Sequence, residues 1–215
     1  MKKRLVGIVL VMAVIYVFPV YAGITINEIM ADPNAVSDAL GEWLELYNDE
    51  NFAIDITNWT IKDADTNYHQ INNGSVLVIP AKGFLVLGRN GNTEENGGYA
   101  PGYVYNDFVL SNTEDEIILE NSYGVEISRV EYINDYWPVY SGRSMAFTGQ
   151  GLLNNPESWI ATSPMPENMY GDGDFGTPGT QNIIPEPSGV ILWIIGCFYA
   201  LFSRNNFFYN LRRWK

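Results

Sequence analysis

The chain has 215 residues and a net charge of −13, and its single cysteine (Cys197) and single histidine (His69) leave too few ligands for the usual zinc sites and no internal disulfide. Seven of the twelve basic residues lie in the two terminal segments, so residues 23–187 keep five (Lys62, Lys82, Arg89, Arg129 and Arg143) against all 25 acidic ones, a net −20. A body so acidic repels phosphate backbones, which argues against nucleic acid as a partner and favours cations or basic surfaces.

In chain order, residues 1–22 combine a basic start (Lys2, Lys3, Arg4), an apolar run and a Val20-Tyr21-Ala22 finish. That pattern predicts a secretory signal peptide cleaved after Ala22. From Gly23 the apolar pattern becomes short and two-periodic, in "GITINEIM", "EWLELYN", "SVLVIP", "GFLVLG", "DEIILEN" and "GVEISRVEY". Turn residues separate the runs at Pro80-Ala81-Lys82-Gly83 and Asn121-Ser122-Tyr123-Gly124. Short strands at this spacing, with no long segment of period 3.6, predict an all-β sandwich or barrel.

Residues 88–107, rich in Gly, Asn and Glu, read as a loop, and so does 149–182, whose closing "YGDGDFGTPGTQN" reads as a tail hugging the domain surface. The aromatics of "YAPGYVY" and "EYINDYWPVY" could stack on a sugar or a partner surface, the commoner reading being that they fill the sandwich core or its rim. After "IIPEP" comes an apolar run from Gly189 to Phe202, then Arg204, Arg212 and Arg213. As a helix its fourteen residues would span about 21 Å against a hydrocarbon core of about 30 Å. It predicts a short transmembrane helix with a basic cytoplasmic tail, leaving the acidic body outside. The organisation expected is a signal peptide over 1–22, a β-domain over 23–182, a linker over 183–188, and a helix with basic tail over 189–215.

Three chemistries are worth weighing. The acidic pair Glu28 and Glu45 could serve a glycosidase-like acid and base. His69 has no G-x-S-x-G serine to activate, which argues against nucleophilic catalysis. Calcium would be held by Asp63, Asp65 and Asn67 in "DADTNY", or by Asp172 and Asp174 in "GDGDFG"; the first loop departs from an EF-hand at Tyr68 and Gly74. The competing reading of both is an Asp-rich turn capping its own backbone.

Taken together, "ITINEIMADP", "GEWLELYN", "IDITNWTIKD", "IPAKGFLVLGRN", "LSNTEDEIILEN", "GVEISRVEY", "GRSM", "ESWIA" and "GTPGTQN" resemble, in order, the bacterial branch of the lamin tail domain family over roughly residues 24–182. The resemblance implies an immunoglobulin-like β-sandwich that acts as an accessory or interaction module rather than an enzyme. Matching positions such as Asn27, Glu28, Trp43, Glu45, Asn48, Trp59, Asp63, Gly142, Arg143 and Ser144 are then architectural, with Trp43 and Trp59 as core anchors and the two glutamates needing partners if buried.

Pro185-Glu186-Pro187, the apolar run and the basic tail (Arg204, Arg212, Arg213) resemble the PEP-CTERM sorting signal of Gram-negative bacteria, although "NNFFYNL" separates Arg204 from Arg212. The resemblance implies an inner-membrane intermediate, recognition by exosortase, and transfer to the cell envelope, cell surface or extracellular matrix beside exopolysaccharide or matrix proteins. A calcium- or carbohydrate-binding module tethered to the membrane is the alternative.

Overall fold

The computed structural model describes residues 23–185. The expected signal peptide, Glu186, Pro187, Cys197 and the 189–215 segment with Arg204, Arg212 and Arg213 lie outside the described residues. Among the described residues no helix is long and apolar enough to cross a membrane.

Fourteen short strands make up the described chain. They are β1 (Ile24–Met30), β2 (Trp43–Asn48), β3 (Ile54–Asp55), β4 (Thr60–Lys62), β5 (Tyr68–Gln70), β6 (Val78–Ile79), β7 (Phe84–Gly88), β8 (Tyr103–Val104), β9 (Glu114–Glu120), β10 (Glu126–Ile133), β11 (Met145–Phe147), β12 (Trp159–Ala161), β13 (Met169–Tyr170) and β14 (Asp174–Phe175). A single turn of helix, α1 (Asp38–Gly41), follows β1. One sheet runs β12-β11-β1-β2-β7-β8 and a second runs β10-β9-β4-β5, with two small pairs, β13-β14 and β3-β6.

The two main sheets face each other over a core that includes Ile26, Ile29, Leu44, Leu46, Ile61, Leu87, Ile117, Leu119, Val130 and Tyr132. Alternation explains which side chains reach it: in β10 the buried residues are Ser128, Val130 and Tyr132, two apart, as period-2 geometry demands. Ser128 has a specific use. A register shift between Ile26 and Glu28 marks a bulge in β1, and the Ser128 hydroxyl crosses the core to accept the Ile26 N–H at 3.2 Å.

All seven residues of β1 are buried, so this strand is covered on both faces. The outward face of the six-stranded sheet carries a second small core of Met30, Trp43, Val86 and Tyr99, against which Tyr170 packs. The cover is the tail, and the compact unit closes at Asn182.

Two expectations sharpen on this view. Residues 88–107 form a loop as expected between the end of β7 and the two-residue β8, but its rings are inside: Tyr99, Tyr103 and Tyr105 are buried, and β8 adds parallel to β7. The second aromatic stretch is split, with Tyr132 and Trp137 inside and Tyr136 and Tyr140 exposed. Trp43 is fully buried as expected, whereas Trp59 is half-buried at the core's edge.

A sealed carboxylate pair as candidate functional site

Glu28 and Glu45 are direct cross-strand neighbours in the β1–β2 register, past the bulge. Both are 0% exposed. The bulge makes this possible, because without the extra residue the period of β1 would turn Glu28 to the opposite face.

Donors surround the pair. Glu28 Oε1 accepts from Ser144 Oγ at 2.5 Å, from Thr177 N at 2.9 Å and from Thr162 Oγ1 at 3.5 Å, while Oε2 accepts from Thr177 Oγ1 at 2.8 Å. Glu45 Oε1 accepts from Asn27 Nδ2 at 2.7 Å, and Oε2 from Gly179 N at 2.5 Å. Asn182 ties the closing segment 176–182, a strap over the pair, to the sheet: its Nδ2 donates to Asn27 O at 3.0 Å and Phe147 O at 2.8 Å, and its Oδ1 accepts from Thr177 Oγ1 at 3.1 Å and Asn27 Nδ2 at 3.2 Å.

Burial dominates the titration of both acids. It raises the Glu28 carboxyl above the usual carboxylate range, opposed by its hydrogen bonds to Ser144, Thr177 and Thr162. Burial, reinforced by the neighbouring Glu28 charge, pushes Glu45 up to about 8. Burial and mutual repulsion both favour a proton on the pair over two charges enclosed together.

The "GRSM" stretch earns its place next to this pair. Gly142 sits at φ +72°, and a Cβ there would stand 3.0 Å from both Asn34 Cβ and Asp174 Oδ1. Arg143 donates to the carbonyls of Thr162 (2.7 Å) and Ala161 (3.2 Å), fixing β12 beside Ser144, which then reaches Glu28. Asn48 does similar structural service, its Nδ2 donating to the Phe52, Ile79 and Pro80 carbonyls.

The calcium candidates fall in the turn after β4 and in the β13–β14 hairpin, and the Asp63 and Asp174 carboxylates point to protein N–H groups. Asp63 accepts from Asp65 N at 2.8 Å, Asn67 N at 3.0 Å and Asn67 Nδ2 at 2.5 Å, the geometry of an Asx turn. Asp174, 1% exposed, accepts from the backbone N–H groups of Asn34 and Ala35 at 3.0–3.3 Å. Asp65 and Asp172 are exposed. Among the described residues no group of three or more His, Cys, Asp or Glu side chains is arranged to hold a metal ion. His69, the lone histidine, bridges the free edges of the two sheets: its Nε2 lies 2.8 Å from the Tyr103 hydroxyl and its Nδ1 2.8 Å from Asn106 Oδ1.

A second buried acid escaped sequence reasoning. Glu42 is 0% exposed; its Oε2 accepts from Arg89 Nη1 and Leu110 N, both at 3.1 Å, and burial raises it to about 7 in spite of the arginine. Its position just before the β2 run was the available signal. For Thr177, Gly179 and Asn182 the sequence offers only the closing "GTPGTQN", which does not say what it closes on, and for Thr162 only its place just after "ESWIA".

The family model of the Lamin Tail Domain matches residues 19–134, from the predicted cleavage region to the end of β10. No curated protein matches the chain. The matched stretch holds Asn27, Glu28 and Glu45 but stops short of the strap that seals them. With more than half of its length matched, the chain belongs to the lamin tail domain family, and its two-sheet, mostly β structure is the immunoglobulin-like sandwich of that family.

Proposed function

We propose that this is an exported, non-enzymatic protein of the cell surface or extracellular matrix, working as a structural or adhesive module. Its N-terminal signal directs export; the tail holds it briefly in the inner membrane; exosortase recognises Pro185-Glu186-Pro187, and the body is passed to the envelope or matrix. The observation that carries the non-enzymatic part is the closure of Glu28 and Glu45. A glycosidase needs its two carboxyl groups open to a sugar, whereas these are 0% exposed and each oxygen accepts a protein hydrogen bond. The delivery part rests on the two ends of the sequence. A net −20 body suits a hydrated matrix, where charge keeps domains apart and soluble.

Intact-mass spectrometry of the protein from its host, after separation into membrane, envelope and secreted material, tests this. A species running from Gly23 to near Pro187 in the envelope or secreted fraction is the expected result. A species still ending at Lys215 and confined to the inner membrane would overturn it.

A further inference from the structure

We propose that the tail segment 176–182 is a releasable strap, held closed while one of Glu28 and Glu45 is protonated and opened when both carboxylates are ionised. The proposal starts from who supplies the donors. Three of the hydrogen bonds to the pair come from the strap itself: Thr177 N and Oγ1 on Glu28, and Gly179 N on Glu45. The other walls are strands fixed in ladders, β1 between β2 and β11, and β2 between β1 and β7. The strap has no ladder; it is pinned by side-chain bonds at Asn182 and by single backbone bonds such as Gly176 N to Asn168 O at 2.8 Å. It is the weakest wall of the enclosure.

Next comes the charge environment. β7 (FLVLG), β11 (MAF) and β12 (WIA) contain no ionisable residue. From the β13–β14 hairpin Tyr170 faces the pair, its hydroxyl accepting the Trp43 Nε1–H at 3.0 Å, and burial raises its own titration out of the working range. Asp174 on the same hairpin is turned to the Asn34–Ala35 backbone. Arg143, the nearest cation in sequence to Ser144, spends its guanidinium on the Thr162 and Ala161 carbonyls. With one proton the pair is a single charge inside a ring of donors. With none it is two like charges with no counter-ion, in a medium where repulsion is only weakly screened. Lifting the strap admits water and relieves the repulsion, at the loss of three donor bonds and the Asn182 anchor. The C-terminal end of the domain is thereby closed in neutral and mildly acid surroundings and loosened in alkaline ones, however the protein is delivered.

Hydrogen exchange measured by mass spectrometry on the full chain in mild detergent, from pH 6 to pH 10 and corrected for the intrinsic exchange rate, reads the strap directly. Protection of peptides spanning 176–182 should fall about tenfold per pH unit as pH climbs from 6 towards about 8, and level off above it, because the open strap leaves the carboxyl at its ordinary, lower value. Peptides from β9 and β10, which exchange only when the whole domain opens, should stay far better protected than the strap at every pH. In Glu45→Gln the strap's loss between pH 6 and pH 8 should vanish, because the substituted side chain cannot ionise. Should that variant fail to fold, Glu28→Gln carries the same test. Strap protection that is flat between pH 6 and pH 8 in the wild type, strap protection no lower than that of β9 and β10, or an unchanged pH dependence of the strap in the glutamine variant would each overturn the proposal.

Discussion

Asn182→Ala removes the pin that ends the compact unit. Asn182 is 9% exposed, and its amide makes five bonds to Asn27, Phe147 and Thr177 at 2.8–3.3 Å. Two of the partners keep a second bond, Thr177 Oγ1 to Glu28 and Asn27 Nδ2 to Glu45, so the loss falls mainly on carbonyls that the amide had covered. At about 1 kcal/mol net per bond, more where a buried acceptor is stranded, the substitution costs about 2–4 kcal/mol. That is a large share of the roughly 5–15 kcal/mol that holds a domain together. It corresponds to a lowering of Tm by about 5–15 °C for a chain of this size. The assay is thermal unfolding followed by tryptophan fluorescence, which reports on Trp43 beneath the tail. The neighbouring residue supplies the control: Gln181 is exposed, and Gln181→Ala should stay within about 0.5 kcal/mol of wild type. Asn182→Ala melting together with Gln181→Ala would refute the claim that the tail is part of the fold.

Three further outcomes follow from the same geometry. Gly176→Ala should destabilise by about 1–3 kcal/mol in denaturant titration, because a Cβ there would meet Trp43 Cζ2 at 3.0 Å, Ser144 Oγ at 3.1 Å and Glu28 Oε1 at 3.2 Å. Trp43→Ala should cost about 3–5 kcal/mol in the same titration, since the ring is fully buried, packs edge-on to Tyr170 and gives its N–H to that hydroxyl. Asp63→Ala should lower stability by about 1–2 kcal/mol through the loss of three bonds within its own turn. Millimolar calcium should shift the melting of neither wild type nor variant; a saturable calcium shift lost in the variant would favour the binding-module alternative.

The sequence was most legible where one rule sufficed. Alternation bounded by turns located β1, β2, β7, β9 and β10, and the Pro80–Gly83 and Asn121–Gly124 turns fall between the strands they were expected to join. It misled where local composition and tertiary burial disagree: Gly, Asn and Glu around Tyr99, Tyr103 and Tyr105 suggest a solvated loop, yet the three rings are buried, Tyr99 beneath the tail and the other two in the sandwich core. The acidic pair was half legible. A glutamate in a strand asks for a partner, but the bulge that aligns Glu28 with Glu45 leaves no mark on periodicity, and the donors stand 116 residues away at Ser144 and 149 away at Thr177. Distances of that kind depend on topology, which no local pattern records.

The central claim is that buried carboxylates with raised titration are architectural in this domain, and its pH dependence of stability tests that most directly. Glu45 titrates at about 8, Glu42 at about 7 and Asp115 at about 6, each above its value in the unfolded chain because of burial. For acids raised in this way the stabilisation is complete below the unfolded value and is lost as pH climbs to the folded one, at about 1.4 kcal/mol per group per pH unit. Melting temperature measured from pH 5 to pH 9 at constant ionic strength should therefore be highest at the acid end and fall steadily. Glu45→Gln should flatten the part of the slope that ends near pH 8. A melting temperature that is flat across the range, or that peaks near pH 8, would contradict the account.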